Sequence, residues 1–389
     1  MTLGNRVEQA GQRNNFDFLR FGLACTVIFS HCFPLSRGAA GRDPLMWLSH
    51  GQENLGTMAL HGFFAISGFL VTQSWLRSRG PGSYFKKRFL RIYPGFIVCM
   101  LIDAMIVAPL SIPGHRFDAT ILTPGYLLGV LRRMALLREY APVGAFATNP
   151  FPGAVNGAIW TIGYEFRCYI LLALIGLVGL LRRPGVVVGL FLAVLALVPV
   201  VAFRSHGGGI NLGLKPPWSL LLGVLLPLEF WPGFLGFFLA GVAAYLLRNR
   251  IPFRASGAAA SIAALLAAAV LPGSLNFFFI EAFLGVYLLM WLAYAPEVSL
   301  HHFGGKGDFS YGIYLYGFPL QQLVVHFWKG AIHPLVLFGC VMPLALLAGM
   351  LSWHLVEHPF LRLKPKPPVS EPPLADAAPT PQPVASRAD

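Results

Sequence analysis

The chain alternates between long apolar runs and short connections rich in Arg and Lys. A helix needs about 20 consecutive apolar residues to cross the hydrocarbon layer of a bilayer. By that measure the pattern predicts spans over 18–36, 56–76, 92–112, 155–181, 185–203, 218–247, 256–272, 275–296, 309–328 and 332–356. The runs are continuous rather than alternating, which excludes the strands of a membrane barrel. The expected fold is all-α, an integral membrane bundle of about ten transmembrane helices. Residues 1–17 read as an N-terminal cytoplasmic segment and 18–361 as the transmembrane domain. Residues 362–389 read as a Pro/Ala-rich cytoplasmic tail with too few apolar anchors to repay the entropy of ordering. No internal repeat is visible, so the repeat architecture of many transporters gains no support.

Two stretches fit the pattern less simply. Residues 218–247 exceed one span and carry Pro227, Glu229 and Pro232 at their middle. They read either as one kinked helix or as two half-helices around a polar break. The long connection 113–154 contains the stretch Tyr126 to Tyr140 with Arg132, Arg133 and Arg138. It reads as an interfacial helix or as part of a site for a second substrate.

Composition supports a membrane protein, because 56% of residues are hydrophobic and only 12% charged. Soluble domains carry about twice that charge. The net charge of +13 does not point to nucleic acid, since its Lys and Arg sit in the short connections. Placing the stretch from Arg77 to Arg91 in the cytoplasm puts Arg182-Arg183, Arg248 to Arg254, and Arg362 to Lys366 on the same side. Both termini are then cytoplasmic, as the positive-inside rule requires. The first run lacks a small-residue cleavage site and reads as a retained helix. Cys25, Cys32, Cys99, Cys168 and Cys340 all lie in apolar runs without disulfide or zinc spacing, and no metal site is expected.

Ionisable groups inside spans are costly, and that cost marks functional candidates. Asp17, Arg20 and His31 share one stripe of the first span. Eleven residues separate Arg20 from His31, which is three turns plus about 20° and about 16 Å along the axis. An imidazole titrating near neutrality suits removal of a proton from a hydroxyl. The alternatives are snorkelling anchors for Asp17 and Arg20, and a structural histidine for His31. Ser67 and Gly68, in His61-Gly62-Phe63-Phe64-Ala65-Ile66-Ser67-Gly68, serve either close helix packing or the passage of a ligand chain. Arg88 and Arg91, i and i+3 beside Lys87, suit bidentate phosphate binding as well as anchoring at the inner face. Glu165, in Trp160-Thr161-Ile162-Gly163-Tyr164-Glu165, needs protonation or a cation from another helix. Tyr311 and Tyr314 suit a sugar site or an aromatic belt.

In order, these segments resemble the membrane acyltransferase 3 family. Asp17-Phe18-Leu19-Arg20 followed by His31 looks like its first-helix pattern of Arg and His. Phe63-Phe64-x-x-Ser67-Gly68 and Arg88-x-x-Arg91-Ile92-x-Pro94 look like the next two signatures. Trp160-Thr161 with Glu165, Ser310-Tyr311 with Tyr314-Leu315, and Glu357-x-Pro359 complete the series over residues 15–361. Many members carry histidine where this chain has Gly317, which leaves His31 as the candidate base.

The resemblance implies a multi-pass protein of the bacterial inner membrane. It implies transfer of an acetyl group from cytoplasmic acetyl-CoA, the acyl donor, to a hydroxyl of a saccharide or glycolipid acceptor outside the cytoplasm. His31, Arg20, Asp17 and Glu165 are the candidate catalytic residues. Arg88, Arg91, Lys87, Ser67 and Gly68 are the candidates for holding the donor, and Trp160, Tyr311 and Tyr314 for the acceptor. His31 would act as base or as covalent acyl carrier, and the sequence leaves both open. Beyond donor, acceptor and lipid no partner is indicated, and oligomeric state is left open with a dimer among the options. The rival reading is a proton-coupled transporter or flippase for a sugar or lipid, which leaves the Arg88/Arg91 pair unexplained.

Overall fold

A computed structural model describes residues 1–11, 13–112, 123–204, 230–273, 275–329 and 332–365. Its helices of eight residues or more, in chain order, are α1 (Leu3–Ala10), α2 (Phe16–Arg37), α3 (Leu55–Leu76), α4 (Pro81–Ser111) and α5 (Pro124–Ala135). They continue with α6 (Trp160–Leu177), α7 (Pro184–Arg204), α8 (Trp231–Leu246) and α9 (Ala255–Val270). The last three are α10 (Asn276–Tyr294), α11 (Ser310–Phe327) and α12 (Pro334–Leu361). No strand forms among the described residues, and the expected all-α membrane fold is borne out at that level.

Among the described residues seven helices are long and apolar enough to cross a membrane: α2, α3, α4, α6, α7, α10 and α12. Helices also stand at the other three predicted positions. Of these, α8 and α9 are shorter apolar helices, and α11 carries Gln321 and Gln322 on a buried face. Pro232 opens α8, consistent with its missing amide donor. The rest of the 218–229 stretch, and with it the choice between one helix and two, lies outside the described residues. In the long connection between α4 and α6 the amphipathic helix is α5, which ends at Ala135 rather than reaching Tyr140. It buries Val130 and Met134 and exposes Leu128 and Leu131. Helix α4 begins at Pro81, eleven residues before the apolar run, so Arg88 and Arg91 project from its body.

Packing around the centre is close because glycines permit it. Helices α3 and α8 cross where a methyl group at Gly68 would collide with the carbonyl of Phe238, and one at Gly241 with that of Ala65. Small residues at a crossing let the backbones approach, the main source of association where lipid replaces water. Gly68 therefore serves packing. Replacing Gly68 or Gly241 by Val is expected to lower stability by about 1–3 kcal/mol or more. Thermal unfolding in detergent would show this as a clear fall in midpoint, whereas an unchanged midpoint would mean that the crossing is loose.

Three helices contain a wide π turn: Asp103–Val107 in α4, Glu281–Gly285 in α10 and Trp353–Glu357 in α12. Each turn presents a buried carboxylate, Asp103, Glu281 or Glu357, inside the bundle. Such turns are rare and cluster at functional sites, because the extra residue re-aims a side chain that a regular helix would place elsewhere. Asp103 accepts a hydrogen bond from Asn156 Nδ2 at 2.8 Å, which ties the segment before α6 to α4.

Candidate active site

One cavity of about 400 Å³ opens between α2, α3, α4, α6, α11 and the C-terminal end of α12. Its composition is graded. At one end stand Asp17, Arg20, Arg88, Arg91, Asp308 and Lys364; further in stand Ser67, Glu165 and Tyr169; beyond them lie Phe63, Thr161 and Tyr314.

The cationic end is organised by a residue that the sequence did not single out. Asp308 lies in the loop before α11, and its Oδ2 is 2.5 Å from Arg91 Nη2 and 3.6 Å from Arg20 Nη1. One carboxylate thus links the arginines of two helices. The ion pair of Arg20 is with Asp308 rather than with Asp17, which lines the same cavity without bonding to Arg20. Burial alone would raise the carboxyl of Asp308, but Arg91 and Arg20 outweigh it and hold it down at about 2. Ser310 Oγ donates to its other oxygen. The pairing is therefore complete above the ordinary carboxylate value of 3.8 and is lost only as pH falls through about 2.

Arg88 reaches the same end of the cavity from one turn earlier on α4. Its Nη2 donates to Ser74 Oγ at 3.3 Å, while its buried Nε has no hydrogen-bond partner among the described residues. A buried guanidinium donor left unpaired is costly, and an anion in the cavity would satisfy it. Lys364 adds a further cation. Burial, and then the charges of Arg91, Arg88 and Arg20, lower its pKa to about 8. It falls within the segment expected to be tail, of which residues 362–365 are described and 366–389 are not.

The middle of the cavity is a hydroxyl–carboxylate group. Ser67 Oγ donates to Glu165 Oε1 at 2.7 Å and Tyr169 OH donates to the same oxygen at 2.5 Å. The expected partner of Glu165 on another helix is thus the Ser67 hydroxyl rather than a cation. Further in, Thr161 Oγ1 and Tyr314 OH are 2.5 Å apart, and Phe63 meets the Tyr314 ring edge-on. Tyr311 lines the wall with its OH donating to the Ile92 carbonyl at 2.9 Å.

Four of the sequence candidates stand apart from the cavity wall. Gly68 is taken up by the crossing with α8. Lys87 turns to Ser78 Oγ at 3.1 Å. Trp160 packs among Phe230, Phe234 and Tyr164. His31 meets Phe318 edge-on, their ring centroids 5.2 Å apart. One turn of α11 separates Phe318 from Tyr314 in the cavity, so the imidazole lies one aromatic ring beyond it. The connection before α6 is pinned nearby. Phe151 faces Phe318 at 6.3 Å, and Gln322 Nε2 donates to the carbonyls of Phe151 and Ala154, both at 2.9 Å. At Gly317 a side chain would collide with Ile28 of α2.

The profile of a family described as "Acyltransferase domain" matches residues 13–354. "Nodulation protein 10" of Rhizobium leguminosarum bv. viciae is 30% identical over 384 residues, covering 91% of this chain and 95% of that protein. An "O-acetyl transferase" of Shigella phage Sf6 is 27% identical over 361 residues, covering 91% of this chain and 98% of that protein. No solved structure matches.

Proposed function

The chain belongs to the acyltransferase 3 family and is an acyltransferase, and on that footing we propose that it moves an acetyl group from cytoplasmic acetyl-CoA to a hydroxyl of a saccharide or glycolipid acceptor on the far side of a bacterial inner membrane. In this proposal the ten helices at the predicted positions all span, with both termini in the cytoplasm. The observation that carries it is the graded cavity. Its mouth holds Arg20, Arg88, Arg91 and Lys364, and the wall then turns to hydroxyl and aromatic groups on the way toward His31. A nucleotide thioester has the matching polarity, with phosphates at one end and an acyl group at the other.

The donor's phosphates sit against Arg88 and Arg91, whose planar forks match phosphate oxygens. Its thioester passes Ser67 and Glu165 and ends near Tyr314. The acceptor enters from the side of the long connection between α4 and α6, which this proposal places outside the cytoplasm, and presents a hydroxyl to His31, which takes its proton as the oxygen attacks the thioester carbonyl. The tetrahedral oxyanion then collapses, the acyl–sulfur bond breaks, and CoA leaves as a thiolate that is reprotonated. The His31 ring packs against Phe318, one helical turn from Tyr314, so the two substrates meet beside that ring. Incubating purified protein with labelled acetyl-CoA and a glycan acceptor tests the proposal. Label in the glycan with release of free CoA is expected, and a donor left intact would refute it.

Donor binding is expected to weaken with rising pH. Lys364 loses its charge as pH climbs through about 8, so KM for acetyl-CoA should rise roughly five- to tenfold between mildly acidic and mildly alkaline buffer. Lys364→Arg, which stays charged, should flatten that profile. A slope that persists in the variant would place the titration on another group.

A further inference from the structure

A second polar cluster lies on another face of α3, turned away from the acyl-transfer cavity. His61, buried two turns into α3, has its Nδ1 2.8 Å from Glu281 Oε2 and 3.9 Å from Glu53 Oε2. All three residues are buried, and one donor atom from each lies within 4.8 Å of the others. They come from three separate pieces of chain: the loop before α3, α3 itself, and the π turn of α10. We propose that Glu53, His61 and Glu281 form a binding site for one divalent transition-metal ion, Zn²⁺ being the best match.

The first support is charge. Two buried carboxylates cannot both stay ionised without compensation. Among the described residues their only ion pairs are with His61. A single imidazole bears at most one positive charge, whereas a divalent ion cancels both. One nitrogen and two carboxylate oxygens are ordinary zinc ligands, and three protein ligands leave a position for water.

The second support is geometry. Ligands at about 2.1 Å in a tetrahedron lie about 3.4 Å from one another. The separations of 2.8 and 3.9 Å from His61 Nδ1 bracket that value and the two carboxylates lie within 4.8 Å of each other, so closing on an ion needs side-chain shifts of no more than about 1 Å.

The third support is that each ligand is held from behind, as metal ligands usually are. The His61 ring stacks on Phe237 at 3.9 Å and meets Phe278 edge-on. The other oxygen of Glu53 accepts from the Asn54 amide at 3.0 Å, and Ser49 Oγ bonds both the amide and the carbonyl of Glu53. Glu281 starts the π turn that aims it at His61. Finally, His61 and Glu281 border a second cavity of about 150 Å³, with room for a water in the open position. Binding the ion displaces whatever proton is shared between His61 and Glu281. It clamps the loop before α3 onto α10, so the site is structural and independent of the acyl chemistry.

The full-length protein in detergent, stripped with a chelator and dialysed against ZnCl₂ or MnCl₂, provides the test. Elemental analysis should find about one metal per chain, and the unfolding midpoint should rise on metal addition and fall again with chelator. Glu53→Gln and Glu281→Gln should each lower the metal content at least fivefold and abolish the midpoint shift. X-ray absorption of the metal-loaded wild type should show one imidazole among oxygen ligands, a readout that does not depend on the variants folding. Wild type that takes up neither metal would overturn the proposal and leave the two carboxylates neutralised by protons. Metal retained undiminished by both variants, or a spectrum without imidazole, would overturn it equally.

Discussion

Replacing His31 by Ala is expected to reduce acyl transfer at least about 100-fold, the usual worth of a positioned proton acceptor. Acetyl-CoA binding should be unchanged. His31 lies one aromatic ring beyond the cavity that carries the cations, so its removal touches neither Arg88 nor Arg91 nor the Asp308 link. The separation of kcat from donor affinity is the informative result, because a misfolded variant would lose both. His31→Gln keeps much of the ring's volume against Phe318 without its basicity, and should be equally inactive while unfolding at the wild-type temperature. Turnover retained in both variants would move the proton transfer elsewhere, and the Ser67–Glu165–Tyr169 group would be the next place to look.

Arg91→Ala should have the opposite signature, with donor affinity collapsing. Arg91 is the closer of the two guanidinium groups on Asp308, and the pair is largely buried, with 18% and 10% of the side chains exposed. Removing one partner of such a pair costs about 3–5 kcal/mol, because the remaining charge is stranded. That loss falls first on stability, then on the loop before α11 that Asp308 anchors to α4. KM for acetyl-CoA should rise by more than about tenfold beyond any change in stability, since a phosphate contact is lost as well. Arg91→Lys should restore the charge but little of the affinity, because an ammonium cannot bridge Asp308 and a phosphate with two parallel bonds. Equal KM values for Arg91→Ala, Arg91→Lys and wild type would separate Asp308 pairing from donor binding.

Much of the fold was legible in the run pattern. A bilayer demands continuous apolar stretches, so each predicted span contains a helix wherever its residues are described. The basic mouth was legible too. Arg20, Arg88 and Arg91 stood out as cations at the ends of apolar runs, and the structure gathers all three around one cavity. Asp308 was not legible, because a single acidic residue in the loop Gly304-Gly305-Lys306-Gly307-Asp308 looks like any solvated turn. Only the folding of α11 against α4 brings it to Arg91. Lys364 was missed for a different reason, since a Lys–Pro stretch reads as tail whether or not its first cation turns back into the bundle. Glu281 and Asp103 carried a usable signal, an acidic residue inside an apolar run. Their π turns, which decide where they point, leave no mark in composition. His61 was visible in its motif, but its partners lie in a distant loop and a distant helix, and no local spacing announces a ligand set of that kind.

The central claim is that a phosphorylated donor lies in the cavity with its phosphates on the α4 arginines and its acyl end toward His31. Cryo-electron microscopy of the protein with an uncleavable thioether analogue of acetyl-CoA tests it directly. Phosphate density within hydrogen-bond distance of Arg88 and Arg91, with the acyl mimic near Tyr314 and Phe318, is the expected result. Density for the nucleotide at any other surface, with the arginine-lined cavity empty, would contradict it.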